Sequence, residues 1–202
     1  MKKVTLFGIA AVLACNGLAF GQVWNEQGDA GELLGDFQTP IGIGPLTAIT
    51  GFRGPDADLY LIFIPNPADF EARTWPNSAG DTQLWLFDTN GFGITFNDDD
   101  VGLLSRITGQ FLPGPGNYLL AISSFDYDAR DAGNQEIWLD TPFGLERQPD
   151  GPGQANPLAQ WGGGGGSGAY RIDLRGVEFI PAPGAMALLG LGGLLARRRR
   201  RR

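Results

Sequence analysis

Apolar and polar positions alternate over short stretches between residues 22 and 179, and turn residues interrupt them at close intervals. The clearest case lies within Ala169 to Phe179. Tyr170, Ile172 and Leu174 fall on one face, and Arg171, Asp173 and Arg175 on the other, which is the period of a half-buried strand. Leu59 to Ile64 is an unbroken apolar run and predicts a central strand covered on both faces. Thr82 to Phe87 predicts another strand, closed by the turn Asp88-Thr89-Asn90-Gly91. Leu46 to Phe52 and Ile94 to Phe96 read the same way. So do Ser105 to Phe111 and Asn117 to Phe125, with Leu112-Pro113-Gly114-Pro115-Gly116 between them. Glu32 to Gln38 and Glu136 to Leu139 are weaker strand candidates.

Residues 65–80 and 126–168 read as long loops. The second contains five consecutive glycines, Gly162 to Gly166, expected as a flexible surface loop. A phosphate-cradling loop would need a lysine and a following helix, and neither is there. With about eight short strands and no helical periodicity in residues 22–179, the pattern predicts an all-β fold. The spacing and turns point to an antiparallel β-sandwich of jelly-roll type. The 32 glycines and 14 prolines agree, because both residues penalise helix interiors.

The two ends differ from this middle. Met1-Lys2-Lys3 and the apolar stretch Val4 to Leu13 read as a signal peptide helix too short to span a bilayer. Small residues at Ala19 and Gly21 place cleavage between Gly21 and Gln22. Val12-Leu13-Ala14-Cys15 resembles a lipobox and leaves lipidation open as an alternative. At the other end, Gly184 to Ala196 is apolar and Arg197 to Arg202 are six arginines. As a helix of thirteen residues the apolar run would measure about 20 Å, against a hydrocarbon core of about 30 Å. The arginines would hold that end on the cytoplasmic side. The organisation expected is therefore a signal peptide over residues 1–21, a β domain over 22–179 and a tail over 180–202.

Charge sharpens this division. The chain carries a formal charge of −7, but Lys2, Lys3 and the terminal arginines lie outside the domain. Residues 22–183 keep seven arginines against all 22 acids, a formal charge of −15. Such a surface repels nucleic-acid phosphates and attracts cations, so no nucleic-acid partner is expected.

Past Gly21 the chain has no cysteine, lysine or histidine. Ser-His-Asp and Cys-His nucleophilic arrangements, lysine Schiff bases and histidine bases are all excluded for that part, as is a disulfide. A hydrolase working with two carboxylates, such as a glycosidase, is not excluded by composition.

The oxygen-rich residues suit calcium, which takes six to eight oxygen ligands. Asp88, Asn90, Asp98 and Asp99 could converge if a short hairpin brings its two ends together, and Asp56 and Asp58 form a second acidic pair. The competing reading is that Asp88 and Asn90 build an Asx turn and the other acids are solvated. Trp75, Trp138 and Trp161 lie in predicted loops, where they could stack on sugar rings or pin the loops to the core.

Two resemblances follow from these residues. Asp56-x-Asp58-x-Tyr60, Leu84-x-Leu86-Phe87-Asp88-x-Asn90-Gly91, Asn97-Asp98-Asp99, Ser105-Arg106-Ile107 and Pro115-Gly116-x-Tyr118-x-Leu120-x-Ile122 occur in that order. The string resembles the bacterial pre-peptidase C-terminal domain, a β-sandwich accessory module found beside secreted peptidases. It covers roughly residues 46–125 plus the strand Tyr170 to Leu174, and no peptidase domain accompanies it. The tail, with Pro181-Ala182-Pro183, the apolar run and the arginine cluster, resembles the PEP-CTERM sorting signal. That resemblance implies recognition by a membrane-bound exosortase and cleavage near the Pro-x-Pro element. Ala182 stands where the family has glutamate, and a permanent membrane anchor remains the competing reading.

Together these readings imply an exported, non-catalytic protein of the cell surface or extracellular matrix. Its expected partners are signal peptidase, an exosortase-like enzyme, the inner membrane in transit and extracellular polysaccharide. The alternatives are a secreted carbohydrate-binding module and an accessory domain to a secreted hydrolase.

Overall fold

A computed structural model describes residues 21–182. The expected N-terminal signal helix, Cys15, Pro183 and the C-terminal hydrophobic helix lie outside the described residues. No α-helix occurs among the described residues, only two single 3-10 turns, Pro67–Asp69 and Gly109–Phe111. No helix there is long and apolar enough to cross a membrane.

The strands are β1 (Gln22–Asn25), β2 (Leu46–Arg53), β3 (Asp58–Ile64), β4 (Glu71–Arg73), β5 (Thr82–Phe87) and β6 (Gly93–Asn97). They continue with β7 (Arg106–Thr108), β8 (Gly116–Ser124), β9 (Tyr127–Arg130), β10 (Gln160–Gly163) and β11 (Gly168–Arg175). They form a five-stranded sheet in the order β1-β2-β11-β4-β7, a four-stranded sheet β3-β8-β5-β6 and the two-stranded ribbon β10-β9. All pairings are antiparallel except β1 with β2.

The five-stranded and four-stranded sheets share one core. Tyr170, Ile172 and Leu174 of β11 meet Tyr60 and Ile62 of β3 and Leu84 of β5 there, while Arg171, Asp173 and Arg175 face outward, as the alternation predicts. A second core lies on the other face of the four-stranded sheet. Leu59, Trp85, Phe87 and Leu119 pack there against Ala129, Ile137, Trp138, Leu158 and Trp161. The four-stranded sheet is therefore covered on both faces, and every residue of β5 is buried. This is the physical reason for the apolar run Leu84 to Phe87 within it.

Several expectations change. Residues 126–168 are a packed third layer carrying β9 and β10, and residues 65–80 contain β4, so neither is simply a loop. The glycine run is part of that layer. Gly163 lies in β10 at φ +124°, where a β-carbon would sit 1.7 Å from the Asp126 carbonyl oxygen, and one on Gly165 would sit 2.2 Å from that of Pro55. Glycine is required at both because the chain passes too close for a side chain.

Glu32 to Gln38 is a turn with a single bridge from Gln38 to Tyr60, and Glu136 to Leu139 likewise keeps only a bridge at Glu136. Ser105 to Phe111 narrows to β7 plus a 3-10 turn. β3 is an edge strand rather than a central one. Its free edge is occupied by other segments: Gln38 N donates to Leu59 O (2.9 Å), and Phe63 and Glu178 exchange both backbone hydrogen bonds (3.4 and 2.9 Å). Backbone groups on an edge are thus satisfied without a further strand.

The two ends of this body meet. Gln22 N donates to Pro45 O (3.1 Å), Pro45 bridges Glu178, and Ile180 N donates to Pro40 O (3.0 Å). Residues 22 and 178 therefore both meet Pro45, and residue 180 pairs with the segment that precedes it.

Candidate cation-binding site

Asp81 immediately precedes β5, and Asp98 and Asp99 immediately follow β6. Because the strands are antiparallel with Leu84 opposite Asn97, these three acids come together at the open end of the hairpin. One carboxylate oxygen from each lies within 4.8 Å of the others. Asp98 is 1% exposed, and Oδ1 of all three acids is buried without a hydrogen-bond donor.

Neighbouring backbone holds them in place. Asp99 N donates to Phe143 O (3.1 Å), Asp100 N to Leu104 O (2.8 Å), and Phe125 N to Asp81 O (3.3 Å). Asn97 donates through Nδ2 to Asp99 O (3.2 Å) and accepts at Oδ1 from Arg106 N (2.8 Å). Beside Asp81, Thr82 begins a buried hydroxyl chain. Its Oγ1 lies 2.8 Å from that of Thr74 and 3.0 Å from Ser105 Oγ, tying the two sheets together at this end.

The electrostatics follow from burial of like charges. The Asp98 carboxyl is pushed up to about 7, first by burial and then by Asp99, Asp81 and Asp128, against a smaller opposing effect of Arg147. Asp81 is also raised, by burial and then by Asp99, with Arg53 opposing. No salt bridge reaches the three acids among the described residues.

Asp88 and Asn90 are not part of this group. They sit at the closed end of the same hairpin, a five-residue strand or roughly 17 Å away. Asp88 Oδ1 accepts from Asn90 N (2.8 Å) and Phe92 N (2.9 Å), an Asx turn whose oxygen is already used. The expected convergence fails because a hairpin joins its two ends only at the open side.

Asp58 is 0% exposed and groups with Glu26 and Asp29 rather than with Asp56. Neither Asp58 oxygen has a donor, and burial pushes its carboxyl up to about 7, with the nearby Tyr170 hydroxyl opposing. No salt bridge reaches Asp58 among the described residues. Arg53 is 2% exposed, its guanidinium is lowered by burial, and Asp58 is the leading charge that offsets this. Glu26 Oε2 accepts from Phe52 N (2.8 Å). In a third group, Asp128, Glu136 and Asp140, two members have partners from outside it. Glu136 pairs with Arg130 (2.7 Å), and Gln83 Nε2 donates to Asp128 Oδ1 (3.4 Å).

Two of the three candidate sugar-stacking tryptophans are core residues. Trp138 and Trp161 are 2% and 8% exposed. Both stand edge-on to Trp85, at 5.4 and 5.6 Å between ring centroids. Their Nε1 atoms donate to Arg147 O (3.2 Å) and Glu32 O (2.7 Å). Neither ring has a face to offer a sugar. Trp75 is 42% exposed, and the Arg73 guanidinium lies over its ring at 5.5 Å.

Gly21 and Gln22 at one boundary, and Pro181 and Ala182 at the other, are all exposed. Sequence reasoning missed Asp81, Glu26 and Asp29. Counting back from Asp98 across the hairpin register would have found Asp81. Glu26 and Asp29 required the parallel pairing of β1 with β2, which leaves no mark in a single strand's pattern. No family model and no curated protein matches the chain.

Proposed function

We propose that the protein is an exported, non-catalytic module of the cell surface or extracellular matrix, built as a jelly-roll-type β-sandwich and sorted through a PEP-CTERM-like tail. The observation that carries this reading is the coincidence of two boundaries. Among the described residues, backbone pairing starts at Gln22, the residue after the predicted signal cleavage, and ends at Ile180, the residue before Pro181. Signal peptidase and an exosortase-like enzyme would each cut at exposed chain, and neither cut removes a strand. The acidic surface, with its formal charge of −15 over residues 22–183, keeps the released module soluble and disposes it toward cations. Its work would be structural or adhesive, against extracellular polysaccharide.

Mass spectrometry of both termini of the surface-exposed protein tests this. The expected species begins at Gln22 and lacks Arg202. A protein recovered only in the cytoplasm, with Met1 and Arg202 both present, refutes it.

A further inference from the structure

The geometry points to a calcium site at the open end of the β5–β6 hairpin, formed by the carboxylates of Asp81, Asp98 and Asp99. Acids clustered on a surface are common without a metal, and this group differs in one respect. Asp98 is 1% exposed, and its Oδ1, together with Oδ1 of Asp81 and of Asp99, is buried with no donor. A buried carboxylate oxygen without a partner is costly. One carboxylate oxygen from each of the three residues lies within reach of a single cation, which would satisfy them together.

The donor set selects the ion. One oxygen from each residue lies within 4.8 Å of the others, close enough for a single ion to reach all three. Magnesium keeps several waters and is held by one or two carboxylates, whereas calcium accepts a cage of protein oxygens. An all-oxygen set with no histidine or cysteine also disfavours zinc and copper. Three carboxylates supply three to six oxygens, and main-chain carbonyls or water complete the shell.

The neighbouring groups explain why calcium belongs here rather than at the other two acidic groups. In one of those groups Asp29 is exposed and Glu26 accepts from Phe52 N; in the other Asp140 is exposed and Glu136 is paired with Arg130. At Asp81, Asp98 and Asp99 no salt bridge takes that place among the described residues. The bound ion would fasten the start of β5 to the end of β6. Through the hydrogen bonds of Phe125 N to Asp81 O and Asp99 N to Phe143 O, it would also hold the β8–β9 turn and the 143 segment. This inference is independent of the export reading, since it concerns the folded body alone.

Isothermal titration and thermal melting of the full chain, stripped with EDTA and dialysed, test it with calcium chloride as the probe. The expected result is saturable heat, and a melting temperature raised by roughly 5–10 °C when calcium exceeds its dissociation constant a hundredfold. Magnesium at the same concentration should give a markedly smaller rise. Asp98→Asn and Asp81→Asn should each abolish the calcium response. Asp98→Asn should also raise the melting temperature in EDTA, because it removes a buried charge. Asp58→Asn should respond to calcium as the unaltered protein does. The inference is overturned by the absence of heat and of any melting shift in the unaltered protein. It is equally overturned by Asp81→Asn and Asp98→Asn titrating normally, by loss of the response in Asp58→Asn alone, or by an equal response to magnesium. Asp81 is only partly buried, so its variant keeps the test decisive even if Asp98→Asn fails to fold.

Discussion

Replacing Trp138 by alanine measures how far residues 126–168 contribute to the folded body. The indole is 2% exposed, with the rings of Trp85, Phe87 and Phe96 at 5.4, 5.6 and 5.9 Å. Removing a buried tryptophan costs about 3–5 kcal/mol when the surroundings relax only partly. The lost Nε1 hydrogen bond adds little, because Arg147 O also accepts from Phe96 N (3.0 Å) and keeps a partner. A loss of about 4 kcal/mol is a large share of a typical folding stability of roughly 5–15 kcal/mol. With a urea slope near 2 kcal/mol/M, the unfolding midpoint should fall by roughly 2 M. Far-UV circular dichroism is the suitable readout, since the mutation alters fluorescence directly. Leu139→Ala, at a neighbour that is 45% exposed, should stay within about 0.5 kcal/mol of the unaltered protein. A Trp138→Ala midpoint indistinguishable from that control would refute the packed third layer and return this tryptophan to the surface as a candidate sugar contact.

Gly163→Ala should destabilise by at least about 1–3 kcal/mol from its backbone conformation alone, whereas Gly164→Ala, whose nearest neighbour is the Asp126 Oδ2 at 3.6 Å, should be close to neutral. Equal denaturation midpoints for the two would mean the glycine run is loose. Asp128 gives a pH dependence. Burial, then Asp140, pushes its carboxyl up to about 6 while Gln83 opposes, above an unfolded value of about 3.9. The folded state therefore binds its proton more tightly, and stability falls as pH rises from about 4 to about 6. Asp128→Asn should raise the melting temperature at pH 8, corresponding to up to about 3 kcal/mol, and change little at pH 4; a lower melting temperature at pH 8 would contradict this. A chain of residues 22–180 should melt within a few degrees of the full chain, because it holds every strand among the described residues; a collapse of its melting transition would show that the ends belong to the fold. Trp75→Ala should weaken retention on polysaccharide, because Trp75 alone of the three candidate tryptophans is exposed, and unchanged retention in affinity electrophoresis removes that last tryptophan from the sugar reading.

Alternation along the chain was enough to orient β11, because each residue's exposure there follows from a period of two, and an apolar run closed by a turn was enough to place β5 at Thr82–Phe87. The Asx turn at Asp88 was equally legible, since it is built from atoms four residues apart. The same local signal could not tell that Leu59 to Ile64 is an edge strand. Burial on both faces looks identical whether a neighbouring strand or a crossing segment such as Gln38 and Glu178 occupies the edge. Nor could it tell that the glycine run and two loop tryptophans belong to a second core, because packing against a distant sheet imposes no period on the segment that does the packing. The grouping of Asp81 with Asp98 and Asp99, and the separation of Asp88 from them, was decided by hairpin register. Sequence proximity placed the acids near one another along the chain, but antiparallel pairing determined which of them share an end of the hairpin, and tertiary burial left their oxygens without donors.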